Sequence, residues 1–298
     1  QTYNDGRYLI HAINSILNQT YKNLEIHVLD DGSDEENRSI YLDFIRKNKI
    51  RYIYRKNKGI VKSSQELLKI AIKTKCKYFA KMDGDDISHK KRLELQYKAL
   101  IDNNLDFVGC NYVRVNESNE IFEHNNCYRN DTSRFNQLMV ESIFAHGSIF
   151  FKKSLIKKNI LKYIGPRSTL PFPEDYIMYC NLINKCRIGS VNKTLYYYKL
   201  HNHSFSDENK KIYNAQLIKN SKIIFKKNLN KFKKFNKDYK FINYYDAIIY
   251  FKILYRHRLW FKGWFLKLFI KKFKLSYIFE ILVFIFLRKT KKAYYVRK

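Results

Sequence analysis

The chain has 298 residues, 45% of them hydrophobic, which is enough for a substantial core and too many for wholesale disorder. Three prolines and nine glycines argue against a β-rich architecture of many tight turns. The net charge of +31 is unevenly placed: residues 199–298 hold 26 Lys or Arg against five Asp or Glu, and residues 1–198 hold 32 against 22. A basic final third suits a polyanion, either nucleic acid or an anionic membrane surface. Five cysteines (Cys76, Cys110, Cys127, Cys180 and Cys186) at irregular spacing and without a CxxC pair are a poor disulfide framework and read as reduced cytosolic thiols. The opening run Gln1-Thr2-Tyr3-Asn4-Asp5-Gly6 is polar, unlike a signal peptide, and without an initiator Met the natural start is expected to lie upstream.

In chain order, Tyr8, Leu9, Ala12, Ile13, Ile16 and Leu17 recur at helical spacing. A short apolar strand over 24–29 stops at Asp30-Asp31-Gly32-Ser33. A helix over 36–47, a strand over 51–54 and a helix over 64–73 follow, and a strand over 78–82 runs into Asp83-Gly84-Asp85-Asp86. This alternation predicts an α/β unit with a mainly parallel sheet, in which ligands bind beyond the carboxyl ends of strands. Later strands are expected over 107–115, 148–151 and 195–200, and a helix over 176–184. From about residue 209 the pattern is helical, basic and aromatic. The compositional boundary near 205 divides residues 1–206 from a C-terminal region, 207–298.

Three carboxylates in four residues at 83–86 repel one another unless cations or hydrogen-bond donors compensate. At a strand end they suit a hard divalent ion such as Mg²⁺ or Mn²⁺ that also bridges diphosphate oxygens. An EF-hand fails, because Ile87 and Ser88 stand where a ligand and a Gly are needed. Taken alone, the triplet is a weak signal and reads first as a solvated acidic turn before a helix that begins near His89. Asp30-Asp31 is likewise ambiguous alone, although a carboxylate there suits the N–H of a uracil-like base. Glu174-Asp175 follows Pro171-Phe172-Pro173, and these acids either favour the first turn of a helix or supply a base for an acceptor hydroxyl.

Together these stretches resemble glycosyltransferase family 2, the large inverting GT-A family. The opening Tyr3-Asn4-Asp5-Gly6-x-Tyr8-Leu9, with Gln19-Thr20-Tyr21, is similar to its first helix signature. Asp30-Asp31-Gly32-Ser33, Asn57-x-Gly59, Met82-Asp83-Gly84-Asp85-Asp86 and Lys91-Arg92-Leu93-Glu94-x-Gln96 follow in the family's order. His146-Gly147-Ser148, Glu174-Asp175 and Leu195-Tyr196-Tyr197-Tyr198-x-x-His201-x-x-Ser204 complete a match over roughly 1–206.

The resemblance implies a Rossmann-like GT-A fold, with a mixed, mainly parallel sheet flanked by helices and a helical basic C-terminal extension. It implies a nucleotide-sugar donor, UDP-linked, and a glycan or glycolipid acceptor in bacterial surface polysaccharide or lipooligosaccharide synthesis. Tyr3 would stack on the base, Asp31 would contact it, and Asp83 would hold the ribose. Asp85 would bind Mn²⁺ or Mg²⁺, Asp86 would share the metal or diphosphate, and His201 would touch either, a lone His being otherwise structural. Asp175 would be the general base, with Glu174 its competitor. The family's hydrophobic first strand, central in its sheet and ending just before Tyr3, has no counterpart here, and Gln1 stands where a Pro is common.

In the C-terminal region Trp260, Phe261, Trp264 and Phe265 interleave with Lys and Arg, and the charge-free apolar stretch is too short to span a bilayer. Two readings stand. One is peripheral contact with the inner face of the cell membrane; the other is a helical subdomain packed on the catalytic unit. Rival functions are a catalytically inactive sugar-binding module of the same fold, or a basic nucleic-acid-binding protein. The acidic clusters disfavour the latter.

Overall fold

The computed structural model describes residues 1–125, 137–138, 142–165, 173–183 and 185–201. The region 207–298, Cys127, Pro171, Phe172 and Ser204 lie outside the described residues.

The first layer grows from α1 (Arg7–Leu17), β1 (His27–Asp30), α2 (Glu35–Lys47) and β2 (Arg51–Tyr54). Leu9 and Ile13, one helical turn apart on α1, bury against Val28 of β1 and Tyr41 and Ile45 of α2. Asp34 caps α2 by accepting from the Asn37 N–H at 2.8 Å, with Glu35 and Glu36 in the first turn and Arg46 and Lys47 in the last. Both ends thus complement the helix dipole. β1 and β2 pair in parallel, from His27–Arg51 to Asp30–Tyr54.

After α3 (Ile60–Lys73) a six-stranded sheet forms from β3 (Tyr78–Ala80), β4 (Ile87–Ser88), β5 (Phe107–Val115), β6 (Ile121–Asn125), β7 (Phe150–Lys152) and β8 (Ile188–Lys199). Its order is β3-β7-β5-β8-β4, with β6 added to β5. The mixed α/β class is as expected, but the sheet is not mainly parallel. Among the described strands β1–β2 and β5–β8 pair in parallel, whereas β3–β7, β5–β7, β4–β8 and β5–β6 are antiparallel. The alternating pattern that predicts parallel crossovers holds only as far as β3. Beyond it, strands meet partners distant in sequence, and local periodicity carries no direction for such pairs.

Three helices cover this sheet: α4 (Arg92–Asp102), the short α5 (Lys153–Lys157) and α6 (Glu174–Leu182). Phe107 of β5 packs on Phe144, on Phe151 of β7 and, edge-on, on Tyr179 of α6, with ring centroids 6.0–6.2 Å apart. That aromatic cluster fixes the start of α6, and with it Glu174 and Asp175, against the sheet.

Several polar residues of the motifs are structural pins. Gln19 Nε2 donates to Ser15 O, His89 O and Ser88 Oγ, and its Oε1 accepts from the Leu93 N–H. Arg92, fully buried at the start of α4, donates to Lys81 O at 3.1–3.2 Å and Gly147 O at 2.7 Å. Gln96 Nε2 reaches Ser148 O at 2.8 Å. Together they lock α1 and α4 to the loop carrying the acidic cluster. Among the described residues no disulfide forms, and Cys76, Cys110, Cys180 and Cys186 keep their thiols. Among the same residues no helix is long and apolar enough to cross a membrane.

Candidate functional site

The start of the chain lies between the two sheets. Thr2 forms a parallel bridge with Asp30, its N–H donating to Leu29 O at 3.0 Å and its carbonyl accepting from the Asp31 N–H at 2.9 Å. On the other side Asp5 abuts Gly84: a β-carbon at position 84 would come within 2.2 Å of Asp5 Oδ2. The two acidic loops therefore face each other across residues 1–5.

At the first loop the paired aspartates divide the work. Asp30 is wholly buried and accepts from the Gly32 and Ser33 N–H groups and from the hydroxyls of Tyr41 (2.6 Å) and Tyr52 (2.5 Å). It shapes the turn. Asp31 faces the other way, where Arg55, Lys58 N–H and Gly59 N–H surround its carboxylate. Above it Asn4, at φ 56°, donates its N–H to Ser33 Oγ and accepts from the Asp34 N–H, both at 2.9 Å. This clasp holds the loop and leaves Tyr3 52% exposed, as a stacking platform needs.

At the second loop Asp83 pairs with Lys81. Burial works against ionisation of Asp83, but Lys81 and then His146 outweigh it and hold the carboxyl at about 2. Asp86 turns inward: Tyr196 Oη donates to Oδ2 at 2.6 Å and the Lys199 N–H to Oδ1 at 2.9 Å. Burial, then Asp85 and Asp83, raise its carboxyl well above the usual range. Asp85 meets His201, with Nε2 3.2 Å from Oδ2, and this contact raises the imidazole from its ordinary value. The His201 ring stacks on Tyr8 of α1. Beside them Asp5 is pushed up to about 7, by burial first and then by Asp85.

Asp85 and His201 offer a carboxylate oxygen and an imidazole nitrogen, donor types that a divalent ion such as Mn²⁺ accepts. Among the described residues no group of three or more His, Cys, Asp or Glu is placed to hold a metal ion on its own. Two protein ligands suit an ion that completes its shell on phosphate oxygens and water.

On the far side of Lys81 stands the buried group formed by His146, Tyr163 and Glu174. His146 Nε2 lies 2.7 Å from Tyr163 Oη, and Nδ1 lies 3.5 Å from Glu174 Oε1. Burial, then Lys81, lowers His146 well below its ordinary value; burial, then Asp175, raises Glu174 to about 8. Asp175 accepts from Ser142 Oγ at 3.1 Å and from the Tyr176 N–H at 2.6 Å. The two adjacent acids thus have different neighbours: Glu174 faces the Lys81–Asp83 pair through His146, and Asp175 faces Ser142.

The structure brings together Asp83, Asp85, Asp86 and His201, with Asp31 across the Thr2–Asp5 segment that carries Tyr3, and Glu174 beside His146. Sequence reasoning missed Asp5, Lys81, Arg55, Tyr8 and Tyr196 as parts of the site. Asp5, Tyr8 and Tyr196 fall inside motifs already noted, and Lys81 directly precedes Met82. Arg55 carries no motif signal.

The family model described as Glycosyl transferase family 2 matches residues 1–160. The O-antigen biosynthesis glycosyltransferase WbnJ of Escherichia coli is 32% identical over 205 residues, covering 66% of this chain and 76% of WbnJ. The bifunctional glycosyltransferase pgtA of Dictyostelium discoideum is 33% identical over 236 residues, covering 67% of this chain and 30% of pgtA. A glycosyltransferase of Rickettsia felis is 29% identical over 195 residues, 65% of this chain and 31% of that protein. The chain thus spans about a third of the length of the first curated relatives it matches. S. aureus TarS 1–349, solved with UDP-GlcNAc, superposes with TM-score 0.59 at 16% identity, covering 92% of this chain and 75% of that TarS 1–349 chain. The mannosyltransferase PcManGT of Pyrobaculum calidifontis, solved with GDP-Man and Mn²⁺, gives 0.54 at 13%, covering 96% and 78%. At these identities the likeness is one of fold, the GT-A fold.

Proposed function

The chain belongs to glycosyltransferase family 2, and from that premise we propose that it moves a sugar, with inversion, from a UDP-linked donor to a glycan or lipid-linked glycan acceptor in surface polysaccharide or lipooligosaccharide synthesis. The observation that carries this reading is the meeting of Asp85 and His201 at 3.2 Å beside Asp5, across residues 1–5 from Asp31. It separates a metal and diphosphate side from a base side, as a nucleotide sugar requires. Support for the donor and setting comes from TarS, solved with UDP-GlcNAc and with UDP, and from WbnJ, named for O-antigen biosynthesis.

In this reading Tyr3 stacks on the base, Asp31 accepts its N–H, and Asp83, kept ionised by Lys81, accepts from the ribose hydroxyls. Asp85 and His201 would hold Mn²⁺ or Mg²⁺, which would offset the charge of the departing diphosphate. Asp86 supports the loop from behind through Tyr196. Asp175 takes the proton of the acceptor hydroxyl; the hydroxyl oxygen then bonds to the anomeric carbon as the bond to the diphosphate oxygen breaks on the opposite face. Glu174 is the competitor for this step. Residues 1–206 form the catalytic unit, and the basic region 207–298 brings it to the inner, anionic membrane face, each basic residue contributing about 1 kcal/mol.

The test is a panel of nucleotide sugars with Mn²⁺ or Mg²⁺ and glycan acceptors, following nucleoside diphosphate release. Turnover with a UDP-sugar that Asp85→Ala or excess EDTA abolishes supports the proposal. Donor binding without turnover across the panel favours a sugar-binding module instead. Asp175→Asn should lower transfer about 100-fold while donor binding survives. Near-normal transfer in that variant, with loss in Glu174→Gln, moves the base to Glu174. Liposome sedimentation that ignores both lipid charge and removal of 207–298 would remove the membrane contact.

A further inference from the structure

We infer that Arg55 determines which nucleobase the site accepts, by limiting the Asp31 carboxylate to one outward hydrogen bond. The inference rests on the reading of Asp31 as the base contact and goes beyond it by assigning specificity to a residue outside every motif.

An ionised carboxylate offers about four acceptor directions, two on each oxygen. Asp31 Oδ1 takes two hydrogen bonds, from Arg55 Nε at 3.0 Å and the Lys58 N–H at 3.1 Å, with Arg55 Nη2 in ion-pair contact at 2.8 Å, so both of its directions are filled. Oδ2 takes only the Gly59 N–H, at 2.9 Å. One direction on Oδ2 therefore remains. Burial agrees, since the Asp31 side chain is 4% exposed, enough surface for a single contact. The pair is also held from behind, because Arg55 Nη2 donates to Ser63 Oγ at 2.7 Å. The guanidinium thus cannot swing away from Oδ1 without giving up a second buried partner.

The two common donor bases make different demands on such a carboxylate. Uracil presents one N–H, at N3, between two carbonyls, and a single acceptor satisfies it. Guanine presents N1–H and the N2 amino group side by side, and a carboxylate satisfies them only with both oxygens free. With Oδ1 filled by Arg55, guanine leaves one donor unpaired in a buried contact, which costs affinity far more than a missing favourable contact would. Arg55 is a positioning residue here: it acts on the base through Asp31.

The experiment measures UDP and GDP dissociation constants by calorimetry for the full chain in the presence of Mn²⁺. The wild-type protein should bind UDP at least about tenfold more tightly than GDP. Arg55→Met keeps the length of the stem and removes every donor. It should narrow the ratio about tenfold, chiefly by improving GDP binding, an effect that general loosening of the pocket would not produce. Arg55→Lys, with a single-point cation, should fall between, and Ser63→Ala should move the ratio in the same direction; these two decide the matter if Arg55→Met does not fold. A ratio unchanged in the folded variants, or a wild-type preference for GDP, overturns the inference. Asp31→Asn separates this from failure of the underlying reading. If it leaves UDP affinity intact, Asp31 is not the base contact; if it weakens UDP while the Arg55 variants keep the ratio, only the specificity inference fails.

Discussion

Tyr8 stacks on His201, with ring centroids 4.6 Å apart and planes 18° from parallel. One ring belongs to the first helix and the other lies two residues past the end of the last described strand, so the imidazole that meets Asp85 is oriented by a residue 193 positions earlier. A side chain that orients a metal ligand tunes affinity without touching the metal. Tyr8→Ala should therefore raise the half-saturating Mn²⁺ concentration for donor turnover by about tenfold or more while the fold persists. An unchanged activation curve would show that the stack does not set the ligand.

Gly147 admits no larger residue. A β-carbon there would stand 1.8 Å from the Tyr196 hydroxyl oxygen and 2.8 Å from Asp83 Oδ2. Gly147→Ala should cost about 3 kcal/mol in urea unfolding, because Tyr196 is wholly buried and cannot step aside. Combining it with Tyr196→Phe, which removes the closest atom, should be less damaging than the sum of the single changes. Additivity would mean that the clash is relieved elsewhere.

Arg92 satisfies the carbonyls of Lys81 and Gly147 from the interior. Arg92→Met fills similar space but strands both, so a loss of about 3 kcal/mol is expected by chemical denaturation, with Arg92→Lys only partly better for want of a fork. A loss below about 1 kcal/mol would show that water reaches these carbonyls.

Glu174 supplies a pH signature. Its carboxyl is raised in the folded protein to about 8, from an ordinary 4.5, by burial and then by Asp175, with Lys81 and Asp83 also acting on it and His146 beside it. Between those values the folded state holds a proton that the unfolded chain has released. The stability contribution of Glu174 is therefore full below about 4.5 and lost as pH rises through about 8. Glu174→Gln does not titrate. Its melting temperature should match the wild type near pH 4.5, exceed it increasingly up to about pH 8, and keep a constant lead above that. A difference that stays constant with pH would remove Glu174 as the titrating group.

Legibility in the sequence followed locality. The strands 51–54 and 107–115 were legible to the residue, as apolar runs bounded by charge or turn residues. The last strand begins at Ile188, seven residues before the expected Leu195, because its polar stretch Asn192-Lys193-Thr194 is carried by parallel pairing with β5 through a register shift. No local pattern signals that. The acidic clusters were legible as a group, yet the inward turn of Asp86 depends on Tyr196, 110 positions away. The proximity of Asp5 to Gly84 is equally a product of packing. Sequence placed Glu174 and Asp175 at a helix start, but which neighbours each acid meets is set by how the aromatic cluster rotates α6.

The passage of residues 1–5 between the two sheets has a mechanical consequence. The segment hydrogen-bonds to β1 on one side and lies against Gly84 on the other, so it ties the two acidic loops together along one seam. A nucleotide sugar with its base over Asp31 and its diphosphate at Asp85 would cross the same seam as a second fastening. Ligand and chain would then resist opening together, and slow amide exchange would spread jointly through β1 and β3 on donor binding, at positions the donor never touches.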